Sequence, residues 1–239
     1  MNPRFYFPQK LLAHNEVSPP PELVNHLRVL RCNVHDEITL FDGQGTQISA
    51  KITEITKKNI LLQLQDDLQI QTPPQLKLHL GQALCRFDRM DLILQKAVEL
   101  NVSEITPLYA ERSQGRLKSE ALERKMQHWQ EIMTSACEQC QQNYLPKINA
   151  PMLIQEWLAQ TQADLKLQFV LERAISLKSC TTIPESCALL IGPEGGLTPQ
   201  EENLADQEQF TRITLGERVL RVETAAILAL GLINYQFSY

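Results

Sequence analysis

Leu189-Leu190-Ile191-Gly192-Pro193-Glu194-Gly195-Gly196-Leu197-Thr198-Pro199-Gln200-Glu201 decides how the C-terminal half of the chain is read. An apolar strand runs into a loop with three glycines, and a helix start follows. Thr198 suits the N-cap, Pro199 the first helical position and Glu201 the third, which makes a capping box. Glycines let a ligand come close to the backbone. No Gly-Lys-Ser/Thr follows, so this is not a Walker loop. The spacing is not that of the dinucleotide-binding Gly-x-Gly-x-x-Gly either. A tight strand-to-helix connection carries glycines of the same kind, so this loop alone leaves ligand binding open.

A second glycine turn lies about twenty residues on. Ile213-Thr214-Leu215 ends a strand, Gly216-Glu217-Arg218 turns, and Val219-Leu220-Arg221-Val222-Glu223-Thr224 leads into an apolar helix. In a parallel sheet, two such loops meet at the carboxyl edge, where open α/β folds bind ligands. Arg218, Arg221, Glu194 and Glu223 are expected to cluster there. Charges just ahead of an apolar helix are costly unless they work or pair. An Arg–Glu pair that caps the helix is the structural alternative.

Outward from this pair, strands alternate with helices. The pattern predicts strands at 76–84, 105–108, 167–171, 188–191 and 210–215. Helices are predicted at 89–100, 118–142, 153–159 and 223–237. Ala121, Leu122, Met126, Trp129, Ile132, Met133 and Ala136 share one stripe of the long helix, so Trp129 is read as core. This alternation implies an α/β domain with a mostly parallel sheet. Residues 1–72 read differently, as small β units: strands at 4–7, 37–41, 48–55 and 59–64, a short helix at 22–30, and a hairpin turn at Asp42-Gly43-Gln44-Gly45. Thr72-Pro73-Pro74 is the boundary between a first domain, 1–72, and a second, 73–239.

The chain has 239 residues, 43% of them hydrophobic and 21% charged, which is enough apolar mass for a real core. A net charge of −5 excludes a protein that coats nucleic acid by bulk positive charge. A site-specific nucleic-acid enzyme remains open, because charge is distributed unevenly and residues 76–125 are net basic. No run of about 18 apolar residues exists to span a membrane. The N-terminus has no apolar signal core, so a cytoplasmic protein is expected. Six scattered cysteines suit a reducing compartment. Cys137-Glu138-Gln139-Cys140 is a single CxxC without the second pair that a structural zinc site wants, so no metal is expected.

Leu190-Ile-Gly-Pro-Glu-Gly-Gly-Leu197 followed by Leu215-Gly-Glu-Arg-Val-Leu-Arg-Val-Glu-Thr-Ala225 resembles the paired signatures of the SPOUT methyltransferases, and more narrowly of the RsmE family. The resemblance extends to Arg4-Phe5-Tyr6-Phe7, His26-Leu27-Arg28-Val29-Leu30-Arg31, Leu40-Phe41-Asp42-Gly43, Lys96-Ala97-Val98-Glu99-Leu100 and Ile105-Thr106-Pro107-Leu108. It implies a PUA-like β-barrel domain for RNA, followed by a SPOUT domain with a deep trefoil knot. It further implies S-adenosylmethionine as methyl donor, a homodimer with active sites at the interface, and methylation of N3 of a uridine in 16S ribosomal RNA of the small ribosomal subunit. One departure stands out. The family usually carries Glu-Gln-x-Gly-Arg near the end of the long helix, whereas here Glu138-Gln139 is followed by Cys140-Gln141-Gln142-Asn143, with Gln142 at the arginine position.

By this resemblance the cofactor is held by Leu171, Ile191, Gly192, Gly195, Gly196, Leu215, Gly216, Leu220 and Thr224. Uridine N3 carries a proton, so attack needs a base or a cation that stabilises charge on the ring oxygens. Arg221 is expected to stabilise that charge, with Glu223 or Glu194 accepting the proton. Arg4, His26, Arg28 and Arg31 are the RNA-binding candidates of the first domain. Arg28 and Arg31 would be neighbours on one face if their segment is helical. Arg112, Arg116 and Lys118 would extend the track. A SPOUT enzyme acting on another RNA such as tRNA, a non-catalytic RNA-binding module and a nucleotide-binding enzyme unrelated to RNA are the competing readings.

Overall fold

A computed structural model describes residues 2–113, 115 and 119–238. The chain forms two compact units, one of residues 1–73 with 137–145, the other of 74–136 with 146–239.

The first unit contains β1 (Arg4–Tyr6), β2 (Glu16–Val17), α1 (Pro21–Val29), β3 (Glu37–Phe41), β4 (Thr46–Ile55), β5 (Ile60–Leu64) and β6 (Gln69–Ile70). Its sheet runs β1-β3-β4-β5-β2, with β6 added to β4. β1 lies parallel to β3, and the other pairs are antiparallel. Alternation drives the arrangement. Ile48, Ala50 and Ile52 of β4 and Ile60, Leu62 and Leu64 of β5 point to one side, where Leu23, Val24 and Leu27 of α1 cover them. The β3–β4 turn is held by Asp42, whose Oδ1 accepts from the backbone N–H of Gln44 (2.8 Å) and Thr46 (2.9 Å). α1 stops one residue short of expectation, and Arg31 takes a left-handed φ of 55° just beyond it.

The second unit contains β7 (Lys77–Ala83), α2 (Phe87–Glu99), β8 (Glu104–Tyr109), α3 (Ser119–Cys140, whose last turn belongs to the first unit), β9 (Lys147–Ile148), β10 (Met152–Leu153), α4 (Ile154–Gln160), β11 (Leu165–Phe169), β12 (Ile175–Ser176), a 3₁₀ turn (Leu177–Ser179), β13 (Ser186–Ile191), α5 (Pro199–Gln207), β14 (Thr211–Thr214) and α6 (Val222–Phe237). The sheet order is β10-β8-β7-β13-β11-β14-β12, with β9 on β8, and every pair is parallel. Cys187–Ile191 are buried throughout, as a central parallel strand covered on both faces requires. Trp129 and Trp157 are both fully buried, so Trp129 is core as its stripe predicted. Trp129 Nε1 donates to Asp91 Oδ1 (3.1 Å), which ties α3 to α2. Asp91 also accepts from Lys125 and His128, and these hydrogen bonds hold its carboxyl below the usual range against the opposing effect of burial.

Candidate active site

All the long strands of the second sheet are parallel, so the loops after β7, β11, β13 and β14 leave from one edge. A cavity of about 900 Å³ opens there. Its walls come from Arg86 and Arg89 after β7, Phe169–Arg173 at the end of β11, Ile191–Leu197 after β13, and Val219–Glu223 at the start of α6. Arg112, from the loop after β8, reaches the same space.

The Gly192–Leu197 loop is shaped by two constraints. A Cβ on Gly192 would stand 3.0 Å from the backbone nitrogen of Leu197, too close for any other residue without a shift. Gly196 has φ +68°, where a side chain is strained. The predicted capping box then forms. Thr198 N–H donates to Glu201 Oε2 (2.8 Å), and Glu201 N–H donates to Thr198 Oγ1 (3.3 Å). The second oxygen of Glu201 accepts from Glu111 N–H (2.8 Å), and Arg112 Nη1 donates to the carbonyls of Gly195 (2.9 Å) and Leu197 (3.3 Å). The β8 loop thus braces the glycine loop.

Charge at the cavity is sorted into paired and open groups. Glu223, with its side chain only 9% exposed, forms an ion pair with Arg89 of α2. Arg212 is held by Glu202 (2.8 Å) and Asp206 (2.9 Å), and hydrogen bonding to Asp206 leads the effects that raise its pKa. Glu194 Oε1 accepts from the backbone N–H of Arg86 (2.8 Å). Cys85 beside them is pushed up to about 12, mainly by burial and further by Glu194, Glu223 and Asp88, so its thiol stays protonated. Arg221 is exposed, lines the cavity and occupies the N-cap position of α6. Arg173 is exposed too and has a left-handed φ of 52°.

The sequence-predicted residues divide accordingly. Arg221, Glu194 and Glu223 line one cavity, together with Leu171, Ile191, Gly192, Gly195, Gly196 and Leu220. Leu215 and Gly216 line a second hollow of about 620 Å³ with Leu232 and Tyr235 of α6, and Thr224 is exposed on the first turn of α6. An Arg–Glu pair does stand at the first turn of α6, but its arginine is Arg89 of α2 and it makes no cap, while Arg218 is exposed and stands apart from the cavity lining. Arg86, Arg89 and Arg173 were not singled out from sequence. Residues 86–89 follow a strand directly, and the strand-end rule applied to β7 would have found them.

In the first unit the candidate RNA-binding residues fare unequally. Arg4 is half-buried: its guanidinium donates to Gln47 Oε1 (2.7 Å), the Gln142 carbonyl (3.0 Å) and Asn143 Oδ1, and lies 4.2 Å from the Phe41 ring centre. Arg28 Nη2 donates to the carbonyls of Thr56 (3.1 Å) and Lys57 (2.8 Å). The shared helical face expected for Arg28 and Arg31 does not form, because α1 ends at Val29 and Arg31 turns left-handed. Arg31 and His26 are exposed, His26 edge-on to Phe5. Glu138 accepts from Tyr6 N–H (3.1 Å), and burial raises its pKa. Cys137 is buried and pushed up to about 12, chiefly by that burial, so it is a packed thiol. Arg116 and Lys118 lie outside the described residues.

Residues 72–234 match the model of an RNA methyltransferase domain. The chain belongs to the RNA methyltransferase family. Residues 20–65 match that family's PUA domain. The chain is 32% identical over 211 residues to "Ribosomal RNA small subunit methyltransferase E" of Buchnera aphidicola, which covers 88% of this chain and 83% of the relative. Among solved structures, a methyltransferase from Legionella pneumophila with bound SAM has a TM-score of 0.94 at 33% identity, covering 98% of each chain. The ribosomal RNA small subunit methyltransferase E of Neisseria gonorrhoeae, bound to S-adenosyl methionine, has a TM-score of 0.92 at 34% identity, covering 99% of this chain and 98% of that one. An α/β architecture with a parallel sheet and a PUA domain is therefore a property this RNA methyltransferase shares with its relatives.

Proposed function

We propose that this RNA methyltransferase transfers a methyl group from S-adenosylmethionine to N3 of a uridine in 16S ribosomal RNA of the small subunit. The observation that carries the reading is the cavity where three strand-end loops and the Arg221 segment meet. Its features suit the cofactor. The volume of about 900 Å³ falls in the usual range for small-molecule sites. Leu171, Ile191, Leu197 and Leu220 offer an apolar wall for a purine, and the close backbone at Gly192, Gly195 and Gly196 offers polar contacts for a sugar. Leu215, Gly216 and Thr224 flank the Arg221 segment and complete the set from there. When bound, the cofactor supplies a methyl group on a sulfonium, already a strong electrophile.

The chain's task is then to orient the uracil and manage its N3 proton. Arg221 offers a planar cation to the charge that deprotonation spreads over the neighbouring ring oxygens. Glu223 is engaged by Arg89, so Glu194, exposed at the cavity, is the stronger candidate to accept the proton. Arg112 orders the glycine loop from its outer side and carries a charge toward RNA phosphate.

Residues 1–72 serve RNA as a PUA-like barrel, with Arg31 and His26 contacting the substrate directly and Arg4 and Arg28 maintaining the surface that presents them. Residues 73–239 form the SPOUT domain, and the strand order β13-β11-β14 suits its trefoil knot. A homodimer is supported by Leu228, Leu232 and Tyr235, an exposed apolar stripe at helical spacing on α6. The enzyme works in the cytoplasm on rRNA. No helix among the described residues is long and apolar enough to cross a membrane. Mass mapping of rRNA from cells lacking the protein tests the reading. Loss of one methyl from a small-subunit uridine is the expected result, and intact rRNA with altered tRNA would overturn it.

A further inference from the structure

The two helices behind the cavity are joined at both ends. Arg89, in the first turn of α2, pairs with Glu223, in the first turn of α6. Eleven residues farther along each chain segment, Asn234 Nδ2 donates to the carbonyl of Leu100, the C-cap of α2. The helices therefore lie side by side in the same direction, pinned at each end, with Gly231 facing the Leu100 side chain beside the second pin. The N-terminal pin is the one that bears on chemistry. Arg221 is the N-cap of α6, extended at φ −64° and ψ 152°, and its carbonyl accepts from Ala225 N–H (2.8 Å). Its backbone is fixed by the turn whose side chain Arg89 grips. Arg89 itself is steadied by Asp88 (3.7 Å).

We infer that Arg89 is a positioning residue for methyl transfer: through its ion pair with Glu223 it fixes the first turn of α6 and so presents Arg221 to the cavity. The inference rests on the proposed activity and gives Glu223 a structural task in place of proton transfer. A displaced guanidinium is expensive because an aimed donor works only in the geometry of the transition state. A buried carboxylate without its cation also destabilises the turn around it.

The test uses the full-length chain, small-subunit rRNA and S-adenosylmethionine. Arg89→Met should lower kcat on the order of 10-fold or more, with cofactor affinity by calorimetry changed less than about 2-fold. Arg89→Lys keeps the charge and should recover most of the rate, which also covers the case in which Arg89→Met folds poorly. In an Arg221→Ala background, Arg89→Met should change the residual rate less than about 2-fold, since the residue it positions is gone. Independently of activity, amide exchange at Ala225–Leu228 should quicken on the order of 10-fold in Arg89→Met, while the half of α6 near Asn234 stays protected. Equal losses in both Arg221 backgrounds, wild-type kcat in Arg89→Met, or unchanged exchange at the start of α6 would overturn the inference. A wild-type chain that methylates no rRNA overturns the activity and this inference together. Wild-type activity with an additive cycle overturns the inference alone.

Discussion

The edge of the parallel sheet and the first unit satisfy their arginines with different partners, carboxylates in the one and neutral carbonyls and amides in the other. At the sheet edge, Arg89 and Arg212 are paired with carboxylates, and Arg221 and Arg173 stand exposed at the cavity. In the first unit, half-buried Arg4 and exposed Arg28 donate to carbonyls and amides of their own unit, and Arg31 is exposed beyond the end of α1. A count of positive charges would rank the two regions alike. Partners separate them: an arginine whose donors are satisfied by the fold supports structure, and one facing open space is available for chemistry or phosphate.

The sharpest way to break this contrast is at Arg221. Arg221→Lys keeps the charge and loses the planar fork, so turnover should fall about 10²-fold, the scale of removing one aimed donor, with cofactor affinity little changed. Wild-type kcat in steady-state assays would remove Arg221 from the mechanism. Next comes Arg4. Arg4→Ala leaves Gln47, Asn143 and the 142 carbonyl without their donor and should cost about 1–3 kcal/mol in urea unfolding, whereas Arg31→Ala should cost less than about 0.5 kcal/mol. Equal costs would contradict the division drawn here.

A smaller effect concerns pH. Trp157 Nε1 can only donate, and it points at His79 Nε2 (3.2 Å), so that nitrogen must be unprotonated. Burial lowers the His79 pKa, with Lys147 in the same direction and Glu104 opposing. The unfolded chain then binds the proton more tightly than the folded one. Stability from this group is complete above the unfolded pKa of about 6.5 and is lost as pH falls toward the folded value. Thermal unfolding from pH 8 to 5 should show a decline in the wild type below about pH 6.5 that His79→Gln lacks; parallel profiles would refute it. The smallest effect is at Arg31, where Arg31→Glu should weaken RNA binding and lower the log–log salt slope by roughly one unit. An unchanged slope in binding titrations would mean that Arg31 is merely solvated.

Much of this was legible before the fold was known, and the limits have physical causes. Helices announced themselves by period, as in the Leu92–Leu100 run and the Trp129 stripe, and long strands by alternation or apolar runs. The strands at Glu16–Val17, Gln69–Ile70, Lys147–Ile148, Met152–Leu153 and Ile175–Ser176 are two residues each, too short to carry any period. The Thr72-Pro73-Pro74 signal marks where one pattern stops, but no local pattern tells that 137–145 joins the first unit. The glycine loop and its capping box were visible because every part lies within thirteen residues. The Arg89–Glu223 pair was not, because its members are 134 residues apart and only the parallel packing of α2 and α6 brings them together. The helical face that Arg28 and Arg31 would have shared is absent for a related reason: the Arg31 backbone leaves the helix, which spacing alone does not reveal.

In the proposed function, the cavity at the sheet edge binds S-adenosylmethionine and delivers its methyl group to small-subunit rRNA. Incubation of the purified chain with methyl-labelled S-adenosylmethionine and small-subunit rRNA, followed by nuclease digestion and mass spectrometry, tests it most directly. One labelled methyl is expected, on uridine N3, appearing about 10²-fold more slowly with Arg221→Lys. Label on another nucleoside, or no label while calorimetry shows the cofactor bound, would contradict it.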